Sequence, residues 1–237
     1  MIDDSPNFCP AIVVMVKTPH PGKVKTRLQP FLTAEQSASL AACFMQDTVL
    51  KVRKLTANII IGFAPAGGQT ELQAILGENL LWAEQIGDNL GERIESVIGF
   101  AESNGFGPII TIGTDSPSLP VSQIQTAIEY FRSKETELVL GPSADGGYYL
   151  IGLRKSIPGI FENILWSSPT VFEQTVKNAE SAGVSRIKKL SIWDDVDTPQ
   201  DLFSLRNELI NNPEIRSIAP LTYEWLTVND LLFNSRR

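Results

Sequence analysis

Residues 11–28 read AIVVMVKTPHPGKVKTRL. The opening six are apolar, and Ile12, Val13, Val14 and Val16 are β-branched. A run this short and this stiff reads as a strand buried on both faces, not as an amphipathic helix. The segment after it is broken by Pro19, Pro21 and Gly22 and carries Lys17, Lys23, Lys25 and Arg27. In an α/β sheet such a loop lies at the carboxyl end of a strand, where ligands bind. Lysine ammonium groups and an arginine fork suit phosphate oxygens, so the loop reads as an anion site, with a solvated basic loop as the alternative. It is not a Walker A loop, because Val24 stands where Ser or Thr is required and Lys17 stands where the first glycine belongs.

Working outward, the runs NIIIGF (58–63), PIITIG (108–113) and ELVLG (137–141) have the same character and alternate with longer segments of helical spacing. That alternation predicts an α/β fold with a largely parallel sheet covered on both faces. Helix starts follow the same register. Thr33 with Gln36 predicts a capped helix to about residue 55, and Asn89 with Glu92 predicts another. Ser168 with Pro169 places proline at a first helical position, and Thr198-Pro199 with Asp201 does so for a helix to about residue 211. No repeat or flexible linker divides the chain, so residues 1–212 read as one domain and 213–237 as a C-terminal extension packed on it through Trp225 and its leucines.

The composition bounds the function classes. The 237 residues are 43% hydrophobic and 20% charged, which is enough to fold by burial alone. A net charge of -7 opposes nucleic-acid polymers and anionic lipid, while small phosphorylated ligands remain compatible with a local cation cluster. Cys9 and Cys43 fit no disulfide framework or zinc spacing and read as reduced thiols. Asp3 and Asp4 stand where a signal peptide needs positive charge, and residues 11–16 are too short to span a membrane, so a cytoplasmic protein is expected.

Four further stretches carry candidate chemistry. In GTDSPSLP (113–120), Asp115 ends a strand and suits a hard divalent cation beside a diphosphate, or else serves as an Asx-turn or N-cap residue. In GPSADGGYYLIG (141–152), Asp145 is a candidate base or acceptor-binding group. There Gly146 and Gly147 permit close backbone approach and Tyr148 offers a stacking face. In WDDVDTP (193–199), three carboxylates need compensation, so Asp195 or Asp197 reads as a second metal contact, with a capped strand-to-helix turn as an equal alternative. QIGDNLGER (85–93) suits contact with a base or sugar, or N-capping by Asp88 and Asn89. His20, the single histidine, sits between prolines and leaves no Ser-His-Asp arrangement.

Taken in order, VKTPHPGKVKTRL, QIGDNLGER, GTDSPSLP, GPSADGGYYLIGL, WSSPTVFEQT and DDVDTPQDL resemble the motifs of an uncharacterised bacterial family of predicted nucleotide-diphospho-sugar transferases. The chain is more distantly similar to guanylyltransferases acting on molybdenum cofactor or phospholactate. The resemblance implies a three-layer, glycosyltransferase-A-like fold and a metal-dependent transferase using Mg²⁺ or Mn²⁺. It implies that Lys17, Gly22, Lys25 and Arg27 hold nucleotide phosphates and that Asp115 holds the metal with Asp197 nearby. Gly146, Gly147 and Tyr148 would form the acceptor side, with Asp145 and Asp197 as catalytic carboxylates. The implied reaction moves a sugar from a nucleotide-diphosphate-sugar donor to a small-molecule acceptor. One alternative is nucleotidyl transfer from a nucleoside triphosphate with release of pyrophosphate; another is nucleotide binding without turnover. Two departures stand out: Thr114-Asp115-Ser116 replaces the Asp-x-Asp of glycosyltransferases, and the basic loop holds a single glycine.

Overall fold

The computed structural model describes residues 8–29 and 31–234, so the expectation resting on Asp3 and Asp4 lies outside the described residues. Strand β1 (Ala11–Lys17) is central. It pairs in parallel with β2 (Asn58–Ala64) on one side and with β4 (Ile109–Ile112) on the other. With both edges paired and both faces covered, every position from Ala11 to Val14 is buried, which is why the run is continuously apolar. Its alternate residues feed different cores: Ile12, Val14 and Val16 face one side, Ala11 and Val13 the other.

The remaining strands are β3 (Leu81–Glu84), β5 (Leu138–Pro142), β6 (Tyr148–Leu153) and β7 (Ile187–Lys189). They complete a seven-stranded sheet in the order β3-β2-β1-β4-β6-β5-β7. Only β6 is reversed, pairing antiparallel with both β4 and β5. The sheet is therefore mixed and mostly parallel, as the alternating pattern predicts.

One face is covered by α1 (Ala34–Val52), α2 (Gln69–Leu76) and α4 (Val121–Arg132), through residues such as Met45, Val49, Leu72, Ile124 and Phe131. The other is covered by α3 (Leu90–Ser103) and α5 (Val171–Ser181), through Ile94, Val97, Ile98, Val171 and Ala179. A third cluster joins Leu28 and Phe44 to α6 (Pro199–Asn211), α8 (Pro220–Val228) and α9 (Asp230–Asn234). Between α6 and α8 lies the short α7 (Pro213–Ile218). No helix among the described residues is long and apolar enough to cross a membrane.

Thr33 and Gln36 form a reciprocal capping box, as do Thr198 and Asp201. At α3 the box is half made. Asn89 Oδ1 accepts from Glu92 N, but the Glu92 carboxylate accepts from Asp88 N and from the Asn89 side chain. The expectation at Ser168 and Pro169 is corrected: α5 begins at Val171. Ser168 and Pro169 form the turn before it, with Ser168 Oγ 2.8 Å from Thr170 Oγ1. Pro169 packs its backbone against Gly146, a tertiary contact that overrides the local preference for proline at a helix start.

Candidate active site

A cleft of about 920 Å³ opens at the carboxyl ends of β1 and β4, with further walls from α1, α3 and β6 and from the loops after β2, β3 and β7. Its basic side is the loop after β1. His20 to Lys23 form a tight turn in which Lys23 N donates to His20 O at 3.0 Å, with Pro21 and then Gly22 at φ +75°. That is the proline-glycine sequence a type II turn requires. Gly22 does not line the cleft; its role in the structure is this turn. Lys17, Lys23 and Arg27 line the cleft with exposed side chains, and Lys17 Nζ donates to Lys23 O at 2.9 Å.

Lys25 behaves differently. Its backbone is left-handed at φ 45°, which turns its side chain inward, and that side chain is 6% exposed. The ammonium lies 2.5 Å from Asp115 Oδ1 and 3.0 Å from Asp197 Oδ1, donates to Val196 O at 2.8 Å and sits over the Phe44 ring. Burial works against its charged form, but Asp115 and Asp197 outweigh it, so its pKa is raised. Arg27 reaches Asp197 Oδ2 at 3.4 Å from the solvent side.

The two acidic motifs, some 80 residues apart, are stitched together. Val196 N donates to Asp115 O at 2.9 Å, and Ser116 Oγ donates to Asp195 Oδ1 at 2.6 Å. Burial pushes the Asp195 carboxyl up to about 6, against the pull of the Ser116 hydroxyl. Capping and cleft duties divide between different residues here. Thr198 and Asp201 cap α6, and Asp201 Oδ2 also accepts from Asp197 N, which leaves the carboxylates of Asp195 and Asp197 on the cleft.

Asp145 is placed elsewhere. Its Oδ1 accepts from Ser143 Oγ at 2.5 Å and from Gly147 N at 3.0 Å, an Asx-type turn, and neither Asp145, Gly146 nor Gly147 lines the cleft. The close backbone approach expected at Gly146 is made by Pro169 of the chain itself, so no ligand is needed to account for it. Tyr148 lines the cleft, but its hydroxyl is buried, with pKa raised by that burial, and offers no exposed handle.

The segment 85–93 contributes more than its sequence signal suggests: Gln85, Ile86, Gly87, Leu90 and Arg93 all line the cleft. Gln85 Nε2 donates to Val16 O and Gly62 O, and Arg93 Nε donates to Gly87 O, so the segment is braced against β1 and β2. His20 pairs with Glu71 at 2.8 Å on the surface. The sequence reading overlooked Lys51 on α1, whose only signal is a cation at an otherwise apolar helix position. It is 2% exposed and donates to Pro117 O at 2.9 Å.

Among the described residues no group of three His, Cys, Asp or Glu side chains stands at metal-ligating separation. Asp115 and Asp197 do converge on a single cation, the Lys25 ammonium. Mg²⁺ is commonly bound by one or two carboxylates together with substrate phosphates, and the pair suits that mode.

The mostly parallel sheet with helices on both sides matches the nucleotide-diphospho-sugar-transferase class of fold. The chain belongs to the bacterial family DUF2064, described as an uncharacterized protein conserved in bacteria, whose model matches residues 48–168. A candidate nucleotide-diphospho-sugar transferase from Desulfovibrio desulfuricans G20 is 32% identical, with a TM-score of 0.86 covering 95% of this chain and 97% of that one. More remote likeness extends to CMP:2-keto-3-deoxy-manno-octonic acid synthetase complexed with CTP, at 12% identity and TM-score 0.57, covering 86% of this chain and 99% of that one. A cytidylyltransferase from Leptospira borgpetersenii serovar Hardjo-bovis, at 11% and 0.56, covers 94% and 95%. At such identity these two share the fold alone. No protein of curated function matches the chain.

Proposed function

We propose that the protein is a nucleotidyltransferase that uses a nucleoside triphosphate and a phosphorylated small-molecule acceptor. The observation that carries this reading is Lys25, buried between Asp115 and Asp197, with Lys17, Lys23 and Arg27 lining the same cleft. The cations of this loop suit a polyphosphate, and a triphosphate carries more negative charge than the diphosphate of a nucleotide sugar. An acceptor oxygen of a phosphate attacks the α-phosphorus, an O–P bond forms, the bond to the bridging oxygen breaks, and pyrophosphate leaves. An ionised phosphate needs no general base, which agrees with Asp145 lying off the cleft. Lys17, Lys23 and Arg27 bind and orient the phosphates, and the braced segment 85–93 walls the cleft beside them. Asp115 and Asp197 would hold Mg²⁺ or Mn²⁺, which when bound neutralises phosphate charge. Catalysis on this reading is positional and electrostatic.

The second reading, sugar transfer from a nucleotide-diphosphate-sugar, is favoured by the Desulfovibrio relative. The two differ in their products. Thermal unfolding is followed with each nucleoside triphosphate and a panel of nucleotide sugars, with and without Mn²⁺, and reactions are assayed for pyrophosphate and for nucleoside diphosphate. A ligand at a hundred times its dissociation constant stabilises by about 2.7 kcal/mol. Stabilisation by a triphosphate, lost in Asp115→Ala and Lys25→Met, and release of pyrophosphate are expected. Stabilisation by nucleotide sugars alone supports the second reading, and no stabilisation by any nucleotide refutes both.

A further inference from the structure

Lys51 takes no part in the cleft, yet it is among the most deeply buried side chains, and a buried lysine is costly unless its ammonium has work. Its Nζ donates to Pro117 O at 2.9 Å and lies 3.5 Å from Ser116 O. These carbonyls belong to the turn Asp115-Ser116-Pro117-Ser118-Leu119-Pro120, in which Pro117 and Pro120 have no N–H to donate. The turn's one internal backbone bond runs from Leu119 N to Ser116 O at 3.1 Å. The same turn presents Asp115 to Lys25 and Ser116 Oγ to Asp195. One helical turn before Lys51, Asp47 is fully buried and accepts from Leu221 N and Thr222 N, the first turn of α8.

We propose that Lys51 is a positioning residue: from inside α1 it clamps the carbonyls of Ser116 and Pro117 and thereby sets the place of Asp115 and Ser116 at the cleft. The significance of that place rests on the proposed function; the clamp does not. Asp47 supplies the nearby negative charge that favours the charged ammonium, and through the α8 cap it ties the same helix face to the C-terminal helices. Burial lowers the Lys51 pKa to about 7, in keeping with an ammonium held by two neutral carbonyls and not by a contacting carboxylate.

The test is amide hydrogen exchange on the full chain carrying Lys51→Met, which keeps the stem and removes the donors. Leu119 and Val196, whose N–H groups bond to Ser116 O and Asp115 O, report the turn; the β1 amides report the whole fold. Exchange at Leu119 and Val196 at least tenfold faster, with β1 protection held, is expected. Unchanged protection at those two amides, or a uniform rise throughout the sheet, overturns the proposal. If Lys51→Met does not fold, Lys51→Leu, which also removes the donors, is read against the same criteria. Mn²⁺-dependent stabilisation by a nucleotide that survives Asp115→Ala would sink the functional reading while leaving the exchange result on Lys51 standing.

Discussion

Substituting Gly146 by alanine tests how the acidic turn after β5 is anchored. Gly146 sits at φ +89°, and a Cβ there would collide with the Pro169 carbonyl oxygen, lie 2.5 Å from its carbon and lie 2.6 Å from Pro169 Cα. Carbon atoms in good contact stand about 3.5 to 4.0 Å apart, so the overlap is about 1 Å against backbone that cannot rotate away. Both sides are also fixed. Gly146 N donates to Ser143 O, and Phe172 N donates to Gly146 O at 2.9 Å. The left-handed backbone costs an alanine about 1 to 2 kcal/mol, and overpacking adds about 1 to 3. Gly146→Ala is therefore expected to destabilise by about 2 to 5 kcal/mol. With a urea m-value of about 3 kcal/mol/M, the midpoint falls by about 0.7 to 1.7 M at unchanged slope. Gly147→Ala is the control: its Cβ would lie 3.1 Å from Ser143 Oγ and 3.2 Å from Asp145 Oδ1, tight side-chain contacts in place of a backbone collision. Its cost is expected to stay below about 1 kcal/mol. A Gly146→Ala midpoint within 0.3 M of wild type, an allowance of roughly 1 kcal/mol at that slope, would refute the reasoning.

Lys51 gives the native state a pH dependence. Its folded pKa of about 7 lies below the ordinary lysine value of 10.5, so between them the unfolded chain binds more protons and stability rises with pH. The slope should approach about 1.4 kcal/mol per pH unit between pH 7.5 and 8.5 and be lost in Lys51→Met, measured by urea unfolding. Above pH 9 the opposite effect of Cys43, pushed up to about 11 by burial, enters and offsets the Lys51 rise, so the profile flattens, and Cys43→Ala should restore the rise. Thr198→Ala removes the hydroxyl that accepts from Asp201 N and donates to Asp201 Oδ2, and is expected to cost about 1 kcal/mol by the same assay. The backbone N–H groups of residues 197 and 198 still donate to Asp201 Oδ2 in that variant, so nucleotide-induced stabilisation should be kept.

The strand order and the assignment of loops to the two acidic motifs were not written locally. The runs at 11–16, 58–63, 108–113 and 137–141 are legible because a strand buried on both faces admits apolar residues at consecutive positions. The two short edge strands were harder. Strands β3 and β7 lie at the sheet edges, where residues such as Leu81, Lys188 and Lys189 stay exposed and the apolar signature thins. The carboxylate motif at 193–199 left capping and cleft duty undecided, because both use Asp near a helix start; the three-dimensional arrangement separates them by giving Asp201 the cap.

By itself the sequence determined the α/β class, the position of the central strand and the cation-bearing loop after it, because burial periodicity, proline, glycine and charge act over a few residues. Tertiary structure alone decided that Lys25, and not its three exposed neighbours, is the cation held between Asp115 and Asp197. It also decided that Asp145 turns back on its own loop, that Gly146 makes room for Pro169 and that Lys51 supports the Asp115 turn. Each of these is a contact between residues far apart in the chain, set by packing and desolvation, and no local pattern records which distant group will be the partner.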